Sequence, residues 1–108
     1  MLEFVQVFTT TCKKEEAEEI ARLLVEKRLA GCVQIAGPVF SIYRWEGKIE
    51  QTEEWLCIIK TEKSLYREVE EAVKASHSYK TPEIIATPVV AGSKDYLSWL
   101  QGELVPKR

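Results

Sequence analysis

Asparagine is absent from this 108-residue chain, histidine occurs once, and the only methionine is Met1. Few thermolabile side chains beside abundant Glu, Lys and Arg point to a heat-stable protein of thermophilic type. A basic block is missing too. The net charge is −2 and the two signs are interleaved, so nothing tracks a phosphate backbone and nucleic acid is excluded as an expected partner. No apolar run reaches the length of a membrane span. The run Met1-Leu2-Glu3-Phe4-Val5 carries an acid and no basic leader, unlike a signal peptide. Cys12, Cys32 and Cys57 are odd in number, widely spaced and without a C-x-x-C pair. That excludes a disulfide framework and places the expected protein in the reducing cytoplasm. A P-loop, a nucleophile elbow and a zincin motif are also missing.

What is present suffices for one domain over residues 1–108. Apolar residues make up 45% and charged residues 30%, the balance of a soluble globular core. Residues 2–9, rich in Phe and Val, predict a first strand. A helix is predicted over residues 13–29, capped by Thr10 or Thr11. Ala17, Ile20, Ala21 and Leu24 give it one apolar face, and Gly31 would supply its left-handed exit. Residues 62–76 predict a second helix around Leu65, Val69, Ala72 and Val73. Residues 83–90 predict a fourth strand, with Pro88 pointing to a sheet edge or a bulge. A last helix, capped by Ser93, should turn Tyr96, Trp99 and Leu100 inward.

Between the helices lies a long hairpin. Residues 32–45 and 49–61 read as strands joined by Glu46-Gly47-Lys48, a strong turn signal. Fourteen strand residues span roughly 45 Å. A compact chain of this length is only about 30–35 Å across. The hairpin should therefore overhang its own domain and either bend back or pair with another copy, an oligomer being the leading expectation. Gly37-Pro38 predicts a bend or bulge in its first strand. The order β-α-β-β-α-β plus a terminal helix is the α+β, ferredoxin-like pattern. Helices should cover one sheet face. Tyr43, Trp45 and Trp55 call for cover on the other.

Several runs carry a resemblance. They are Lys27-Arg28-Leu29-Ala30-Gly31-Cys32-Val33, Ser41-Ile42-Tyr43-Arg44-Trp45-Glu46-Gly47-Lys48-Ile49-Glu50, Ile58-Ile59-Lys60-Thr61, His77-Ser78-Tyr79-Lys80-Thr81-Pro82-Glu83-Ile84 and Tyr96-Leu97-Ser98-Trp99-Leu100. In order and spacing the chain resembles the CutA family of divalent-cation tolerance proteins over nearly its whole length. The resemblance implies a very stable homotrimer packed through its long hairpins, with clefts between subunits like those of the PII signalling proteins. It also implies a role in divalent-metal tolerance, with copper bound by some members, and no catalysed reaction. Ser78 stands where the family usually has Pro, and Gln34 where Asn is common. Thr9 and Ser76 replace a Cys and a His found in some members, so copper or another divalent cation should be held weakly.

The candidate site residues each have two readings. His77 is either a metal or ligand contact or a histidine settled at a helix C-terminus. Cys12, beside a helix N-terminus, is the thiol placed for reactivity and a weak metal candidate. Cys32 and Cys57 are ligands or small core hydrophobes. Tyr43, Trp45 and Trp55 form a ligand platform or a subunit interface. Glu50, Glu53 and Glu54 bind hard cations or form a solvated face. Lys60, Tyr79 and Glu83 line an intersubunit cleft or form a structural ion-pair cluster. Two other classes fare worse. Acylphosphatase-like chemistry needs an Asn and an Arg-cradled phosphate loop, and residues 9–14 offer neither Arg nor Gly. An RNA-binding module needs basic residues and stacking aromatics on its third strand, which here reads Gln51-Thr52-Glu53-Glu54-Trp55-Leu56.

Overall fold

The computed structural model describes residues 3–106. Its elements are β1 (Phe4–Thr11), α1 (Lys14–Glu26), β2 (Cys32–Trp45), β3 (Lys48–Glu62), a 3-10 turn (Lys63–Leu65), α2 (Tyr66–Ser76), β4 (Ile85–Val89) and α3 (Lys94–Glu103). The strands form one antiparallel sheet in the order β2-β3-β1-β4. This is the ferredoxin-like arrangement, with Pro88 on an edge strand where its missing N–H costs no ladder bond.

Side-chain alternation sorts the sheet into two faces. Val5 and Val7 on β1 and Cys57 and Ile59 on β3 share the face that packs on Ala17, Ile20 and Leu24 of α1 and on Val69 and Val73 of α2. On the opposite face, Phe4 and Val89 meet Leu97, Leu100 and Leu104, so α3 covers one end of it. Toward the hairpin tip that face has no such cover.

The tip is legible residue by residue. Glu46 and Gly47 both take positive φ, 49° and 79°, the two-residue turn whose twist matches its strands. Nothing would touch a Cβ added at Gly47. Gly47→Ala should therefore cost only backbone strain, about 1 kcal/mol, read as a lower urea midpoint with an unchanged slope. The pairing slips between Ala36 and Val39, where Gly37-Pro38 makes the expected bulge and is cis. The long axis of the molecule is 44 Å against 25 and 21 Å for the others, and the hairpin sets it.

Several local expectations are corrected. The expected strand start at Leu2 lies outside the described residues. α1 is capped by Lys13 without a side-chain bond, while Thr11 Oγ1 donates to the Lys13 carbonyl at 2.8 Å. The left-handed residue after α1 is Arg28 (φ 60°), not Gly31. Leu29 N–H reaches the Leu24 carbonyl and Arg28 N–H the Val25 carbonyl, at 2.9 and 3.0 Å, which closes a Schellman turn. Arg28 tolerates this because its guanidinium is anchored on the carbonyls of Glu103 and Gly102 at the end of α3, at 3.0 and 3.1 Å. Gly31 answers a different need, since a Cβ there would collide with the Leu100 side chain. The second helix opens with the 3-10 turn, and β4 starts two residues later than expected. Of the three α3 residues expected inside, only Leu100 is buried; Tyr96 and Trp99 are 39% and 47% exposed. Trp55 is not on the uncovered face either. It packs against the α1 core with the Lys14 ammonium 5.7 Å from its ring centre.

Candidate functional site

β2, β3 and the loop after α2 meet along the outer half of the hairpin, from the bulge toward the tip. Thr10, Ser41, Ile42, Tyr43, Trp45, Glu54, Tyr79, Lys80, Thr81 and Glu83 line an open cleft there, with a volume of about 590 Å³. Tyr43, Trp45 and Glu54 share one sheet face because the bulge puts Val39 opposite Glu54 and restores the alternation beyond it. Thr52 Oγ1 donates to the Tyr43 phenol at 3.4 Å along the same face.

Glu54 is the polar centre. It is only 5% exposed, and the Tyr79 phenol donates to its Oε2 at 2.7 Å. Burial and this carboxylate together hold the Tyr79 phenol far above the ordinary tyrosine range, so it stays a donor. Neither reading of Glu50, Glu53 and Glu54 from the sequence, as hard-cation ligands or as a solvated face, separates Glu54 from its neighbours. Its neighbour Trp55 and the shared parity with Leu56 were the available signal for its burial. Glu53 points to the other side of the ribbon, opposite Phe40, and is exposed.

His77 stands behind the cleft and not in it. Its side chain has no exposed area. Nε2 lies 2.7 Å from the Thr10 carbonyl, and Nδ1 lies 3.0 Å from the Tyr79 N–H, which donates to it. That pattern requires the proton on Nε2. Glu16 Oε2 is 3.6 Å from Nδ1 and takes the Ser78 N–H at 2.6 Å. The His77 and Tyr79 ring centres are 4.9 Å apart. Every lone pair and proton of the imidazole is thus committed within the protein, and none is left for a metal.

The other candidates are scattered. Cys12 is exposed, with its thiol 3.9 Å from Glu16 Oε1. Cys32 opens β2 opposite Lys60. Lys60 lies six residues along β3 from Glu54, about 20 Å away, with its ammonium 5.7 Å from the Tyr96 ring centre. Cys57 is a core residue whose thiol points at the Ala17 carbonyl, and burial, helped by Glu16, pushes its pKa up to about 11. Four of the expected site residues, Tyr43, Trp45, Tyr79 and Glu83, therefore meet in one cleft; Cys12, Cys32, Glu53, Lys60 and His77 do not line it.

A divalent cation finds no cage among these side chains. Among the described residues no three His, Cys, Asp or Glu side chains converge as ligands. The ligand atoms in the cleft are oxygens, without sulfur or imidazole, so its lining offers a soft ion such as copper no matching set.

Comparison with known proteins gives a consistent answer. The chain is 43% identical over 95 residues to the divalent-cation tolerance protein CutA of Thermus thermophilus, covering 88% of this chain and 92% of that one. It is 41% identical over 97 residues to the chloroplastic CutA of Arabidopsis thaliana, covering 90% of this chain but only 53% of that longer protein. The crystal structure of CutA1 from Oryza sativa superposes with a TM-score of 0.95 at 38% identity, over 98% of this chain and 97% of that one. The profile of the CutA1 divalent ion tolerance proteins matches residues 5–103. This chain belongs to the CutA1 divalent ion tolerance family.

Proposed function

We propose that the chain acts in divalent-cation tolerance as a cytoplasmic homotrimer without catalytic activity, holding a small ligand in clefts that neighbouring subunits complete. One observation carries this reading. Phe40, Ile42 and Ile49 at the overhanging hairpin are 70%, 69% and 63% exposed, and Trp45 beside the cleft is 46% exposed. An apolar ribbon of this kind asks for a partner surface. The ribbon and the cleft share strands β2 and β3, so whatever covers the one borders the other.

The cleft volume of about 590 Å³ suits a small molecule better than a bare ion. Metal ions, copper included, would be bound weakly through oxygen donors. Static light scattering on the purified protein should return three times the mass of one chain. A single-chain mass at micromolar concentration would end the assembly reading, because the ribbon would then stand uncovered in solution.

A further inference from the structure

We infer that the cleft on the outer half of the hairpin is a site for an organic cation, an amine or guanidinium carried on a short carbon body. The inference deepens the reading of that cleft as a ligand site and rests on it. Size comes first. A cleft of about 590 Å³ would leave a metal ion swimming, since a single water occupies about 30 Å³.

The walls come second. Tyr43, Trp45 and Tyr79 present three aromatic rings to the space. Aromatic faces attract cations and repel anions. Third is charge. Glu54 and Glu83 face a single ammonium, Lys80, so the lining is net negative.

Glu54 supplies the fixed point. Glu54 as a residue is 5% exposed, and the Tyr79 phenol donates to its Oε2 at 2.7 Å. No side chain of the described residues is seen bonded to Oε1, and it is not a buried orphan, so it stays open to the cleft. A carboxylate so placed gains most from a charged N–H donor. An anion would meet two carboxylates with one ammonium to offset them. The cation's N–H groups bind Glu54, its carbon body lies against Tyr79 and Tyr43, and Lys80 sets a limit on affinity by like-charge repulsion.

Titration calorimetry at low salt tests this with three probes: agmatine, tetramethylammonium and inorganic phosphate. Agmatine should bind, tetramethylammonium more weakly for want of an N–H, and phosphate not at all. Glu54→Gln keeps the shape and an acceptor for Tyr79. It should weaken agmatine roughly tenfold or more, with the particle mass unchanged. Lys80→Ala, at an exposed loop position, should tighten agmatine by roughly threefold. The inference is overturned by agmatine heats that are absent or indifferent to Glu54→Gln, or by phosphate binding that Lys80→Ala abolishes. A trimer blind to agmatine removes this inference and leaves assembly standing. A single chain that binds agmatine with these variant effects does the reverse.

Discussion

Ile42→Asp should reduce the assembled protein to single chains at micromolar concentration while leaving the fold of each chain intact. Ile42 is 69% exposed in the isolated chain and faces the same side of the ribbon as Phe40 and Ile49. It contributes little to the core of its own subunit, whose buried clusters lie elsewhere. In a trimer the loss counts three times. Burying one isoleucine side chain is worth about 1.5–3 kcal/mol, so three amount to roughly 5–9 kcal/mol. The introduced carboxylate then adds a desolvation cost at each contact. Losses of that size move a dissociation equilibrium by several orders of magnitude. Light scattering reads the mass and circular dichroism reads the fold. An undiminished trimer would place Ile42 outside every subunit contact and leave the opposite face of the ribbon, with Tyr43 and Trp45, as the only candidate for assembly.

The hairpin was readable because its signals are local. Gly47 flanked by polar residues marks the turn, Pro38 marks the bulge, and alternation marks the strands. The helices announced themselves through Ala17, Ile20 and Leu24 and through Val69 and Val73, all fully buried or nearly so. What escaped depends on tertiary partners. Arg28 occupies a left-handed position usually given to glycine because α3, 75 residues away in sequence, fixes its side chain. Gly31 looked like the helix exit, yet its small size serves the approach of Leu100.

Glu54 shows the same limit within the site. Three glutamates in five residues read as a solvated run, and two of them, Glu50 and Glu53, do not line the cleft. Only the register across the bulge, Val39 against Glu54, turns that one carboxylate inward beneath Tyr79. The sequence motif around His77 to Glu83 located the right loop. It left two readings open for His77, and the contact that favours the structural one, the imidazole on the Thr10 carbonyl of β1, lies 67 residues away, where no local pattern encodes it.

His77→Ala should be the most destabilising single substitution in the loop behind the cleft, and it should leave copper binding unchanged. The imidazole joins the end of α2 to β1 by accepting the Tyr79 N–H on Nδ1 and donating from Nε2 to the Thr10 carbonyl. Removing it strands both backbone groups. Each unsatisfied group costs about 1–3 kcal/mol, and the emptied space adds a cavity cost, giving roughly 3–5 kcal/mol in all. That is a large part of the 5–15 kcal/mol that holds a typical domain together. The urea midpoint measures it. His77→Gln keeps an amide donor near Thr10 and should recover part of the loss. The competing view, in which His77 ligates a metal, expects the opposite pair of results. Its prediction is a metal-free midpoint that hardly moves and a copper isotherm that collapses. A ring with no exposed area and both nitrogens engaged makes the first outcome the expected one, and Tyr79, released from His77, should then lose its hold on Glu54 as well.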